Sequence, residues 1–134
     1  MLAQSFMSSD ELGITEPQRD ALQKTLVLLE TGKLVHTELP DVFCFNAQNF
    51  TGHFNMGGWR RQGPCGSICC IGGTAELIGN VSFDEKTEAL VDLFYPGAHD
   101  VRVPHYELIT PTQAATALRS YLTIGDAKWS EALS

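Results

Sequence analysis

The stretch from Val42 to Ala75 is 34 residues long and contains no Asp or Glu. It holds all four cysteines (Cys44, Cys65, Cys69, Cys70) and seven of the twelve glycines, and its only full charges are Arg60 and Arg61. So many glycines rule out one continuous helix, because each costs about 1 kcal/mol against Ala in a helix interior. Val42-Phe43-Cys44-Phe45 is apolar but too short to be a helix. Phe50, Phe54, Met56 and Trp59 lie among Gly and Asn. Aromatic residues at that density are expected to fold back onto a core. A short β-hairpin fits here, although the alternation is poor.

The flanks carry all sixteen acids and read as helices. Thr15 and Gln18 form a capping box, with Pro17 in the first turn. Ala21, Leu22, Leu26, Leu28 and Leu29 follow at helical spacing, and Gly32 suits the position after a helix end. This predicts a helix over 16–31. Ser82 and Glu85 form a second box, opening a helix to Phe94 with Ala89, Leu90, Leu93 and Phe94 on its apolar face. Thr110 and Gln113 repeat the signal, with Pro111 at the first helical position. Ala114, Ala117, Leu118, Tyr121 and Leu122 make that face, and Gly125 ends it. Trp129 is placed to anchor the tail on the core.

A further helix is predicted from Ser67 to Ile78. Ile68, Ile71, Ala75 and Ile78 give an apolar stripe, and Gly79 ends it. Gly72 and Gly73 are explained by close packing against a neighbouring helix or ring. The expected architecture is mainly α: about four helices around an irregular Gly/Cys-rich centre. The 134 residues form one domain, with 1–13 as a disordered or loosely packed leading segment.

Composition narrows the function. The apolar share of 43% is globular, and a domain this size needs no staples to fold. The net charge of -7 argues against general nucleic-acid binding, which needs clustered Lys and Arg. No apolar run approaches a membrane span of about 20 residues. Met1 to Asp10 lacks the basic and apolar regions of a secretory signal. The expected compartment is the cytoplasm, where thiols stay reduced.

The chemistry-bearing candidates gather near residue 65. Cys65-Gly66-Ser67-Ile68-Cys69 resembles the segment before the catalytic cysteine of papain-like proteases. Its second cysteine falls one residue late, no aromatic follows, and too few residues remain for the distant His. Cys65, Cys69 and His53 are weak zinc candidates, because Cys-x3-Cys-Cys has no matching second ligand pair. On the predicted helix, Cys65 and Cys69 would come within disulfide reach. Cys69 would also sit in the first turn, where the helix dipole lowers a thiol pKa. A disulfide, reactive thiols or a plain buried pair all fit. Arg60, Arg61 and the N–H groups near Ser67 could hold an anion, or the arginines could pair with acids of the flanks. His36, His53, His99 and His105 form no paired motif.

Phe54, Met56, Trp59, Cys65, Gly66, Cys69 and Gly72 together resemble a group of small uncharacterised bacterial and phage proteins. That group's pattern is Phe-x-Met, Trp, then Cys-Gly-Thr-x-x-Cys-x-x-Gly. Leu77-Ile78-Gly79, Leu93-Phe94-Tyr95-Pro96 and Thr110 to Ala115 continue the likeness. Ser67 replaces the usual Thr and keeps its hydroxyl. Gly73 stands where a bulky residue is usual. The resemblance implies no established activity, and no cofactor is expected. The expected function is a binding or self-associating module with a protein partner or a second copy. The candidate site is Arg60, Arg61, Cys65, Ser67 and Cys69. The alternative is a thiol-dependent redox or metal-binding role for Cys65 and Cys69.

Overall fold

The computed structural model describes residues 6–37, 52–56, 60–63, 66–83, 88–95 and 108–133. Within them the chain forms α1 (Ser9–Leu12), α2 (Glu16–Glu30), β1 (Val35–His36), β2 (His53–Phe54), β3 (Arg60–Gly63) and β4 (Gly66–Cys69). α3 (Ile71–Gly79), α4 (Glu88–Phe94), α5 (Pro111–Ile124) and α6 (Trp129–Ala132) complete it. The fold is mainly helical, with one small mixed sheet.

The capping grammar fixes the long helices. Thr15 Oγ1 accepts from Gln18 N at 3.2 Å, and Gln18 Oε1 accepts from Thr15 N at 2.9 Å. Thr110 and Gln113 make the same reciprocal pair at 3.2 and 3.0 Å. Each box satisfies N–H groups that a helix start leaves without partners. Gly32 and Gly125 adopt left-handed φ of 73° and 77°, as helix exits require. The first 13 residues, expected to pack loosely, contain a third box: Ser8 and Glu11 open α1, and Leu12 is buried.

α2 lies at the centre and packs against both α3 and α5. Its buried face is Ala21, Leu22, Thr25, Leu26 and Leu29, one stripe of the 3.6-residue period. The Thr25 hydroxyl donates to the Ala21 carbonyl at 2.8 Å, so a polar group lies in the core without penalty. α5 packs along α2. Arg119 forks onto Glu30 with donor–acceptor distances of 2.8 and 2.7 Å. A short strap, Phe6–Met7, lies beside this pair, with the Arg119 guanidinium over the Phe6 ring at 5.7 Å. Met7 N donates to Leu122 O at 2.7 Å, and Arg19 Nε donates to Met7 O at 2.6 Å.

The expected helix start at Ser67 is corrected. Gly66–Cys69 is a strand, and α3 begins at Ile71 behind the N-cap Cys70. Gly66 and Ser67 are weak helix formers, and pairing with strands on both sides outweighs the apolar spacing that Ile68 lends to a helix. The stripe survives in Ile71 and Ala75, both buried. Gly79 is the last helical residue, and Asn80 takes the left-handed exit at φ 52°. The helix predicted from Ser82 is described from Glu88 onward, and 84–87 lie outside the described residues.

The sheet order is β1-β2-β4-β3. β1, β2 and β4 run parallel, and β3 folds back antiparallel on β4. The hairpin lies at 60–69, after the 42–59 stretch where a hairpin is expected from the sequence, and its second strand takes the place of the predicted helix start. Phe54 is fully buried in the core cluster, and Met56 joins it. The expectation that the central aromatics fold inward therefore holds at Phe54, while Phe50 and Trp59 lie outside the described residues. Among the described residues, no helix is long and apolar enough to cross a membrane.

Candidate functional site

The β3–β4 hairpin gathers most of the sequence-predicted residues. Antiparallel register sets Arg60 opposite Cys69, Arg61 opposite Ile68 and Gln62 opposite Ser67. Arg60 and Cys69 thus flank the point where β4 passes through Cys70 into α3. Cys65, Cys44, His99 and His105 lie outside the described residues. Cys69 is on a strand, so the dipole argument for a first-turn thiol does not apply to it.

Two rows cross the sheet. Val35, His53, Ile68 and Arg61 share one, and His36, Phe54, Cys69 and Arg60 share the next. Adjacent rows of a pleated sheet project to opposite faces. His53 and Cys69 therefore do not converge on one point. Among the described residues, no group of three or more His, Cys, Asp or Glu could hold a metal ion.

The residue that takes the helix-start position is Cys70. Its Sγ accepts a hydrogen bond from Gly73 N at 3.4 Å, doing the work usually given to a Ser or Asp oxygen. Nothing in the sequence distinguished it from a small buried residue. Both Cys69 and Cys70 are buried thiols. Burial pushes the Cys70 thiol up to about 12, against the pull of the N–H groups of Gly73 and Gly72. A reactive cysteine needs thiolate character and access. Cys70 is held neutral and enclosed.

A second polar group was not visible in the sequence. Thr37 Oγ1 lies 3.0 Å from His53 Nδ1 and 3.0 Å from Val35 O. A hydroxyl has one proton to give. If Thr37 gives it to Val35 O, its bond to the histidine requires a proton on Nδ1. Asn55 Nδ2 donates to Thr37 O at 2.9 Å, and Asn55 N donates to Cys69 O at 3.0 Å. These bonds join β1, β2 and β4 at one end and hold the His53 ring in place. Thr37 and Asn55 are far apart in sequence and match no short motif.

Among the described residues, two hydroxyls are buried with no hydrogen-bond partner, Thr74 Oγ1 and Tyr121 OH. Such a group costs about 1–3 kcal/mol in desolvation. Tyr121→Phe is therefore expected to leave stability unchanged or to raise it. Burial also pushes the Tyr121 phenol up to about 12. Both it and Cys70 ionise more easily in the unfolded chain, from ordinary values of 10.0 and 9.0. Their contribution is intact below pH 9.0 and is lost as pH rises toward 12. Urea midpoints measured at about pH 8 and about pH 10.5 should therefore differ, the alkaline one being lower. Cys70→Ala and Tyr121→Phe should each shrink that difference, and an unchanged difference in both would refute the assignment.

No family model, curated protein or solved structure matches the chain.

Proposed function

We propose that this chain is a small cytoplasmic binding module that acts through contact with another protein or a second copy of itself, without catalysis. The observation that carries the reading is β1. Among the described residues it stands at one end of the sheet order, and Val35 on it is 60% exposed. An end strand with an exposed β-branched residue is a surface on which another chain can add. Val27, Leu108 and Ile124 are also more than half exposed, each on a different part of the chain.

Light scattering over a dilution series, with a pull-down from the source cytoplasm, tests this. A concentration-dependent dimer or a captured partner is expected. Val35→Lys should weaken either contact by about tenfold, since charge on an end strand opposes pairing. A monomer that captures nothing, or an association indifferent to Val35→Lys, overturns it. Fast labelling of Cys65 or Cys69 in the native protein, or stoichiometric zinc, would replace it with a thiol-dependent or metal-binding role.

A further inference from the structure

We draw no further inference here: the strongest candidate, the cluster at the start of α3 formed by the buried Cys69–Cys70 pair and the unpartnered Thr74 hydroxyl, is a helix N-terminus whose Gly73 N–H is already taken by the Cys70 thiol, and nothing in the structure shows a ligand there.

Discussion

Trp129→Ala should cost about 3–5 kcal/mol, the range for deleting a large buried aromatic side chain. The ring is 5% exposed and belongs to the central cluster. Its Nε1 also donates to the carbonyls of Asp92 at 2.8 Å and Leu93 at 3.2 Å. Those carbonyls belong to the last turn of α4, where helix geometry leaves acceptors without internal partners. One side chain thus fills a core position and caps a helix that is remote in sequence. Native stability of about 5–15 kcal/mol leaves little reserve against such a loss. Trp129→Phe separates the two roles. It keeps most of the apolar bulk and removes the N–H, and should cost about 1 kcal/mol. Urea unfolding of both variants is the measurement. A loss below about 1 kcal/mol for the alanine variant would show that the tail is not an anchor.

Gly79→Leu should destabilise by about 1–3 kcal/mol through overpacking. A Cβ placed on Gly79 would overlap the Ala21 Cβ and lie 3.4 Å from the Ala21 Cα. The obstacle is a helix backbone and the stub attached to it, and neither can rotate away. Gly79→Ala is the sharper comparison. Helix propensity alone favours alanine by up to about 1 kcal/mol, so a loss of stability would mean that packing has reversed the sign. Ala21→Gly made together with Gly79→Ala should recover part of the loss, because the two residues share one contact. Purely additive effects in that double-mutant cycle would show that α2 and α3 do not meet there.

These two sites differ in how far the sequence reveals them. Trp129 is a lone aromatic after a helix-ending glycine, and its role as an anchor follows from its apolar bulk alone. Its bond partners at Asp92 and Leu93 do not, because they are backbone atoms of a distant helix. Close packing was read at Gly72 and Gly73, both of which are buried. A tight approach to α2 is also made at Gly79, which reads in sequence as a helix stop. The long helices were legible because their signals are local: a Thr, a Gln three residues later and a Pro in the first turn. The strands were not. β1 and β2 are two residues each, too short for any alternation to register, and their partners are set by tertiary pairing. Ile68 fits a helical stripe equally well, so spacing alone misplaced the start of α3. Of the residues singled out as a candidate site, Arg60, Arg61, Ser67 and Cys69 share one hairpin, and Cys65 lies outside the described residues. The bonds of Thr37, His53 and Asn55 depend on chain segments that meet only after folding, whereas the Cys70 cap is local but uses a residue that is not among the usual N-caps.

The strap contact from Met7 to Leu122 bears on the order in which the molecule assembles. A backbone bond between residues 7 and 122 closes nearly the whole chain into a loop. Closing so long a loop costs entropy that few contacts can offset until the segments between are already packed. The α2–α5 pair is expected to form first, because its seam is what Phe6 and Met7 settle onto. The strap is expected to dock late and open early, and hydrogen exchange at the Met7 amide, faster than at the amides of α2 and α5, is the measurement that checks it.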